Sequence, residues 1–171
     1  IQDENPARYI AKKYGISDED FSKAEKTFVK PPHRLENFGT FSGVHYVDDS
    51  KGTNIAATLH AVSTIETPIV LIAGGVPKEK SFAPWKEPFG KKVKKVIAIG
   101  TAKEQIAADL FGSCEVILAP DIASAVKEAS KSAKKGETVL LSPGCASFDQ
   151  FENYAARGEA FKKEVRNAHE S

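Results

Sequence analysis

The sequence predicts an α/β domain with a Rossmann-like, three-layer architecture, in which helices flank a mostly parallel sheet. Two observations support this fold class. Short β-branched runs begin about 21–25 residues apart, and segments with a helical spacing of apolar residues lie between them. This alternation is typical of strand–helix–strand units, whose crossover helices join parallel strands. The predicted strands are Val44–Val47, Ile69–Ala73, Val93–Ile99, Cys114–Leu118 and Thr138–Leu141.

A small helical segment precedes the sheet. Apolar residues at helical spacing predict a helix over Asn5–Tyr14, and Ser17 with Asp20 resembles a capping box that opens a second helix. Pro31 and Pro32 end this segment, because proline cannot continue a helix. We therefore place a domain boundary here, between residues 1–30 and residues 31–171.

The main unit opens with an N-terminal β-hairpin strand. Leu35–Phe41 and Val44–Asp48 are its two predicted strands, joined by a Ser42-Gly43 turn. We expect the stretch Phe82–Lys95 to be irregular, because prolines interrupt it before the next strand. The flanking helices are predicted over Asn54–Ile65, Ala102–Phe111, Ile122–Lys134 and Asp149–Arg166, with Thr101 and Glu104 as a capping box on the second of them.

Composition and charge exclude several classes of protein. The 171 residues are 41% hydrophobic and 27% charged, which is ordinary for a globular domain. The 24 basic and 23 acidic residues give a net charge of +1, which argues against nucleic acid or an anionic membrane as the main partner. The apolar runs are shorter than the ~20 residues that span a bilayer. The sequence begins at Ile1 and contains no methionine, so we expect it to be part of a longer chain.

Cysteine and histidine usage predicts neither a disulfide framework nor a zinc site. We expect Cys114 and Cys145 to be reduced, and Cys145 to be a small buried thiol rather than a nucleophile. The four histidines have no partners at the spacing of metal ligands, so we predict no zinc held by the protein.

The loops that follow the strands form the candidate site, because ligands of open α/β sheets bind beyond the carboxyl ends of the strands. The first such loop, Asp49–Asn54, joins a strand to a helix. We expect Thr53 to cap this helix, and Lys51 adds a full positive charge to the partial charge of the helix terminus. The loop is either an anion site or a capped turn with exposed charges.

Two further loops should lie at the same edge of the sheet. Gly74-Gly75 precedes Lys78 and Lys80, and paired glycines allow a ligand or another backbone to approach closely, although they also occur in plain turns. In the loop after the last strand, Ser147 and Gln150 form a predicted capping box on the last helix. Ser147 either only caps that helix or also binds an anion with its hydroxyl group.

Arg34 is a further candidate for ligand binding, and it lies just after the proline pair at the domain boundary. Its planar guanidinium suits phosphate, carboxylate or hydroxyl groups, and it could equally form a structural ion pair. The sequence contains neither a G-x-x-x-x-G-K-[ST] motif nor a G-x-G-x-x-G motif. A nucleotide bound by this chain would therefore need a phosphate cradle from elsewhere.

These loops contain the motifs through which the chain resembles a known family. The motifs are His33-Arg34-Leu35-Glu36, Asp49–Asn54 and Leu141–Phe151, followed by Asn153, Arg157-Gly158 and Phe161. From Pro32 onward, the sequence resembles the C-terminal domain of the ATP-dependent Mur ligases of peptidoglycan synthesis. Within that family it is most similar to the members that use D-glutamate, and residues 1–30 resemble the tail of the preceding central ATP-binding domain.

The resemblance implies a reaction and a set of binding residues. In the family, ATP phosphorylates the carboxylate of UDP-MurNAc-L-alanine, the amine of D-glutamate attacks the acyl phosphate, and phosphate leaves. The resemblance implies that this domain binds the amino acid and closes over ATP. The implied contacts are Thr53 and Lys78 with the α-carboxylate of D-glutamate, Ser147, Phe148, Tyr154 and Lys51 with its side-chain carboxylate, and Arg34 and Asp49 with the nucleotide.

The resemblance also implies the setting in which this domain works. ATP and magnesium would be held mainly by the central domain, and no catalytic or metal-binding residue is expected within this chain. We expect the 171 residues alone to be inactive as a ligase. A monomer in the bacterial cytoplasm, with a role in cell-wall synthesis, cell shape and cell division, is the implied context.

Two other interpretations stay open from the sequence. One is a sister Mur ligase or a domain like that of folylpolyglutamate synthase, either of which would use another amino acid. The other is a non-catalytic doubly wound binding module, in which Asp48 and Asp49 form an acidic pair for a phosphoryl switch.

Overall fold

The computed structural model describes residues 5–170, which divide between Pro31 and Pro32 into two compact units. The first unit contains two helices, α1 (Pro6–Lys13) and α2 (Asp18–Thr27). Ser17 caps α2 as predicted, because its hydroxyl accepts a hydrogen bond from the backbone N–H of Asp20 at 3.1 Å.

The second unit is built on a six-stranded sheet in the order β1-β2-β6-β3-β4-β5. Only β1 is antiparallel to its neighbour, and the remaining strand pairs are parallel. This confirms the predicted α/β class with an N-terminal hairpin strand. The strands are β1 (Glu36–Phe41), β2 (Val44–Asp48), β3 (Ile69–Gly74), β4 (Val93–Ile99), β5 (Glu115–Leu118) and β6 (Thr138–Leu141).

The helices of this unit largely follow the predicted order, with two corrections. The last helix begins at Tyr154 rather than at Asp149, and Asn153 caps it. The stretch Phe82–Lys95, predicted to be irregular, contains a 3₁₀ turn and a short helix before β4. The elements are α3 (Ile55–Thr64), the 3₁₀ turn Ala83–Trp85, α4 (Lys86–Phe89), α5 (Lys103–Asp109), α6 (Ile122–Ser132) and α7 (Tyr154–His169).

Apolar side chains pack on both faces of the sheet and produce the predicted three layers. Strand β3 is buried along its whole length, and alternate residues of it belong to different core clusters. One cluster includes Trp85 and Ile106, beneath α3, α4 and α5. The other includes Phe161 and Val165 of α7, together with residues of α6. No helix among residues 5–170 is both long enough and apolar enough to cross a bilayer.

The strand order determines where the candidate loops meet. Strand β6 lies between β2 and β3, and all three run parallel. Their carboxyl ends therefore share one edge of the sheet. The loops that follow β2, β3 and β6 contain Lys51, Lys78 and Ser147, so the predicted convergence of these three loops is confirmed.

Candidate substrate-binding site

A pocket of about 210 Å³ opens at this edge of the sheet. It brings together all six residues for which the sequence predicted substrate contacts, and no acidic side chain among residues 5–170 lines it. The pocket therefore suits a small anion. Its lining consists of Lys51, Thr53, Lys78, Ala146, Ser147, Phe148, Asn153 and Tyr154.

Two lysines from different loops supply the positive charge of the pocket. The Lys51 ammonium lies 3.9 Å from the ring centroid of Tyr154, a cation–π contact that orients the charge. The Lys78 ammonium donates a hydrogen bond to the Thr53 hydroxyl at 3.1 Å. Lys78 is exposed, whereas Lys51 is half-buried. Lys80, the other candidate of its loop, is exposed and does not line the pocket.

The predicted capping role of Thr53 is wrong. Helix α3 begins one residue later, and the side chain of Asn54 accepts the hydrogen bond from Ala57 N–H at 2.8 Å. The carboxylate of Glu79 accepts a further bond from Ile55 N–H at 3.4 Å. Because groups of the protein occupy these donors, the full charges of the lysines, rather than the helix terminus, make the pocket attractive to anions.

The capping role predicted for Ser147 is also wrong, but it leaves the hydroxyl available. The Ser147 carbonyl accepts bonds from Gln150 and Phe151 N–H groups at 3.1 and 2.8 Å, which forms a turn ahead of α7. Asn153 caps α7 instead, accepting from Ala156 N–H at 2.8 Å. Among the described residues, no hydrogen bond uses the Ser147 hydroxyl, which lines the pocket beside Phe148.

A third predicted cap, Thr101, is wrong as well, and its side chain supports the paired-glycine loop. The Thr101 hydroxyl donates to the Gly75 carbonyl at 2.9 Å, and α5 begins without a side-chain cap. Gly75 has a φ of 134°, and a Cβ there would collide with the Ala146 carbonyl. Val76 and Ala146 exchange backbone hydrogen bonds at 2.9 Å. The paired glycines therefore allow another backbone, that of the loop after β6, to approach.

Arg157, on the buried side of α7, is a residue whose structural role the sequence analysis missed. Its guanidinium donates to the Ser50 hydroxyl at 3.0 Å, to the Ser50 carbonyl at 2.8 Å and to the Cys145 carbonyl at 3.1 Å. Burial lowers the pKa of Arg157 to about 10. Its spacing was the available signal, because Arg157, Phe161 and Val165 recur every four residues on one helix face.

A second buried network supports the start of the loop after β2. The His33 ring contacts Asp48 Oδ2 at 2.6 Å, and Asp48 Oδ1 accepts from Ser50 N–H at 2.9 Å. The His33 carbonyl accepts from Lys51 N–H at 3.0 Å. A Cβ at Gly158 would collide with both His33 and Asp48, so glycine at this position allows α7 to approach the network.

This network includes a cluster of potential metal ligands among the described residues: His33, Glu36 and Asp48. The ammonium of Lys162 lies 2.8 Å from Glu36 Oε1 and 3.6 Å from Asp48 Oδ2. Burial disfavours the charge on Lys162, but its hydrogen bond to the Glu36 carboxylate and the negative charge of Asp48 raise its pKa on balance. The cluster therefore already has a cation of its own and does not fit a divalent metal.

Asp49 and Arg34 differ sharply in their accessibility. Asp49 is buried, and its two carboxylate oxygens accept bonds from Leu35 N–H at 3.1 Å and from the Ser142 hydroxyl at 2.7 Å. Burial raises the pKa of Asp49, against the opposing effect of Ser142. Arg34 is exposed and precedes Leu35 directly, so it is available to a ligand.

The cysteines agree with the sequence analysis. Both are free, and Cys145 is fully buried. Burial raises the pKa of the Cys145 thiol to about 12, so it is not a thiolate near neutral pH.

The fold and the pocket together define a doubly wound α/β domain with a cationic pocket at the carboxyl edge of its sheet. The family described as Mur ligase, glutamate ligase domain, matches residues 33–145. The chain belongs to this family and represents its C-terminal domain. The alternative of a non-catalytic doubly wound binding module is wrong, and Asp48 and Asp49, the residues of its phosphoryl switch, are both buried and engaged in internal hydrogen bonds.

Comparison with individual proteins agrees with this assignment. The chain is 48% identical over 157 residues to a UDP-N-acetylmuramoylalanine–D-glutamate ligase of Protochlamydia amoebophila, covering 92% of this chain and 35% of that protein. It is 42% identical over 151 residues to the enzyme of the same name from Chlamydia pneumoniae, covering 88% and 36%. The chain thus spans about a third of the length of these relatives.

Solved structures share the fold at low sequence identity. The MurF ligase of Thermotoga maritima in complex with ADP matches with a TM-score of 0.59 and 18% identity, covering 94% of this chain and 36% of that one. The UDP-N-acetylmuramate–alanine ligase of the same organism matches with a TM-score of 0.64 and 13% identity, covering 94% and 36%.

Proposed function

We propose that this chain is the amino-acid-binding domain of an ATP-dependent ligase that adds D-glutamate to UDP-N-acetylmuramoyl-L-alanine. The observation that supports this most strongly is the meeting of two separate lysines, Lys51 and Lys78, in one pocket whose described lining contains no acidic side chain. A substrate with two carboxylates needs two such positions. The names of the relatives at 42–48% identity support D-glutamate as this substrate.

In this proposal, the two ends of D-glutamate bind different loops. Lys78 and Thr53, already joined by a hydrogen bond, hold the α-carboxylate. Lys51 and the free hydroxyl of Ser147 hold the side-chain carboxylate, with Phe148 and Tyr154 beside it. Two fixed carboxylates leave the amine of the amino acid as the group presented to the acyl phosphate.

The nucleotide side of the proposal involves Arg34 and Asp49. Arg34 is exposed and offers the donors that phosphate or ribose groups need. Asp49 contributes by accepting the hydrogen bond from Leu35 N–H next to Arg34, and its burial leaves little of the carboxylate open to a direct contact with nucleotide. Magnesium would be held by ATP and by protein outside this chain, because the described acidic cluster at His33 is filled by Lys162.

The reaction follows the general course of acyl-phosphate ligases. The terminal phosphate of ATP passes to the carboxylate of UDP-N-acetylmuramoyl-L-alanine, and the amine then attacks that carbonyl. A C–N bond forms, the C–O bond to phosphate breaks, and the amine loses a proton. Closure of this domain over ATP would exclude water, which would otherwise hydrolyse the acyl phosphate. We further propose that residues 1–30 belong to the preceding ATP-binding domain, and that the enzyme is a monomer of the bacterial cytoplasm.

Phosphate release by the full-length enzyme tests this function. The assay contains ATP and UDP-N-acetylmuramoyl-L-alanine and compares D-glutamate, L-glutamate, glycine, L-lysine and meso-diaminopimelate. We expect turnover with D-glutamate alone, and none from the 171-residue chain by itself. Turnover with another amino acid would instead indicate a sister ligase, and turnover with none of them would refute the ligase assignment.

A further inference from the structure

Arg157 joins the two loops that supply most of the proposed side-chain-carboxylate site. It is 1% exposed, and its three hydrogen bonds reach Ser50 in the loop after β2 and Cys145 in the loop after β6. Ser50 directly precedes Lys51, and Cys145 lies two residues before Ser147. A single side chain therefore contacts the backbone beside both proposed ligands of one carboxylate.

Ser50 extends this connection to the third element of the site. Its hydroxyl accepts the bond from Arg157 Nε and donates to the Tyr154 carbonyl at 2.7 Å. Tyr154 is the first residue of α7, three positions before Arg157, and its ring lies against the Lys51 ammonium. The bonds thus form a closed circuit through α7 and the loop after β2.

The chemistry of this circuit requires an arginine. Three different nitrogens of one planar group each contact a separate oxygen, and the oxygens lie on two loops. A lysine ammonium presents its three donors from a single atom and cannot reproduce this spread. The acceptors are neutral oxygens, so the guanidinium is not simply half of an ion pair.

We propose that Arg157 is a positioning residue, which sets the spacing between Lys51 and Ser147 and so determines how well the pocket binds the side-chain carboxylate of the amino acid. It does not line the pocket and acts only through Ser50 and Cys145. This inference rests on the proposed function, because that function assigns the carboxylate to Lys51 and Ser147.

Steady-state kinetics of the full-length enzyme test the proposal. In Arg157→Met, the KM for D-glutamate should rise about 10-fold or more, because small displacements of binding groups are costly. The KM for ATP should change by less than about 2-fold, since none of the Arg157 hydrogen bonds reaches Arg34 or Asp49. The KM of Arg157→Lys for D-glutamate should lie between those of the wild-type enzyme and of Arg157→Met. The effects of Ser50→Ala and Arg157→Met on the KM for D-glutamate should not be additive, because both substitutions break the same set of hydrogen bonds.

Val165→Ala provides the matched control. Val165 is a fully buried residue of the same helix, and its truncation destabilises α7 without touching either loop. We expect this variant to lower Tm while leaving the KM for D-glutamate unchanged. The proposal is overturned if Arg157→Met raises that KM no more than Val165→Ala does. If Arg157→Met does not fold, Arg157→Lys and Ser50→Ala decide the question on the same criterion.

Hydrogen exchange of the substrate-free full-length enzyme separates this inference from the proposed function. In Arg157→Met, the amides of residues 50–53 and 145–147 should exchange faster than they do in Val165→Ala, when each variant is measured at the same interval below its own Tm. Equal exchange in these loops would refute the positioning role, whatever the substrate is. Faster exchange in an enzyme that does not use D-glutamate would support the positioning role and refute only the proposed substrate.

Discussion

The two halves of the pocket are built in different ways. The half that contains Lys51, Ser147 and Tyr154 rests on a buried arginine and a ring that holds the Lys51 ammonium. The half that contains Lys78 and Thr53 is held by one hydrogen bond between an exposed lysine and a hydroxyl. The first half is therefore preorganised for its anion, whereas the second has more freedom to adjust when the ligand arrives.

This difference predicts unequal losses when each lysine is neutralised. In the full-length enzyme, Lys51→Met should lower kcat/KM for D-glutamate on the order of 100-fold, because an oriented, half-buried charge is removed. Lys78→Met should lower it only about 10-fold, because an exposed charge is screened by solvent. Lys80→Met is the matched control and should have little effect, since Lys80 does not line the pocket. The reverse order of losses would contradict the comparison.

Two serines of the loop after β6 should affect different properties, because Ser147 lines the pocket and Ser142 lies in the buried interior. The Ser147 hydroxyl has no described internal bond, so Ser147→Ala should raise the KM for D-glutamate about 10-fold with almost unchanged Tm. Ser142 is fully buried and donates to Asp49 at 2.7 Å. Ser142→Ala should therefore lower the free energy of unfolding by ~1–3 kcal/mol. Kinetics and thermal melts of both variants would test this, and a large loss of stability in Ser147→Ala would contradict it.

The substitution Asp49→Asn should change stability less than Ser142→Ala does, and its effect should depend on pH. Burial raises its folded-state pKa above the ordinary value of 3.8, so between these two pKa values the folded state binds more protons than the unfolded state. The stability of the wild-type chain relative to Asp49→Asn should therefore fall as the pH rises through this interval, and should be constant above it. Denaturant unfolding of both chains from pH 3 to pH 7 measures the difference. A relative stability that rises with pH would contradict the assignment.

The fold could be predicted largely from hydrophobic patterning and turn residues. The alternation of β-branched runs with helical segments was enough to identify the parallel strands, and the Ser42-Gly43 turn identified the hairpin. Convergence of the three loops followed from the rule that parallel strands end at one edge. The pocket residues themselves came from the family resemblance, and the structure places all six of them together.

Two physical reasons account for the three wrong predictions of helix capping. Thr53, Thr101 and Ser147 each occur at a suitable sequence spacing, but tertiary contacts engage the first two and a backbone turn at the third delays the helix. The contacts of Thr53 and Thr101 join residues far apart in the chain and do not show in local sequence, whereas the turn at Ser147 is local. The structural role of Arg157 was missed for the same reason, because its partners lie on distant loops, although its spacing with Phe161 and Val165 marked it as a charged residue on an apolar helix face.

The most direct test of the two-anion pocket is the preference of the full-length enzyme for D-glutamate over D-glutamine, measured as a ratio of kcat/KM values. D-glutamine has the same shape but a neutral side chain. If Lys51 binds the side-chain carboxylate, Lys51→Met should lower this preference about 10-fold or more, because it removes an interaction that only D-glutamate makes. Lys78→Met should slow both substrates alike and leave the preference intact. A preference that survives Lys51→Met but is lost in Lys78→Met would contradict the assignment of the two halves.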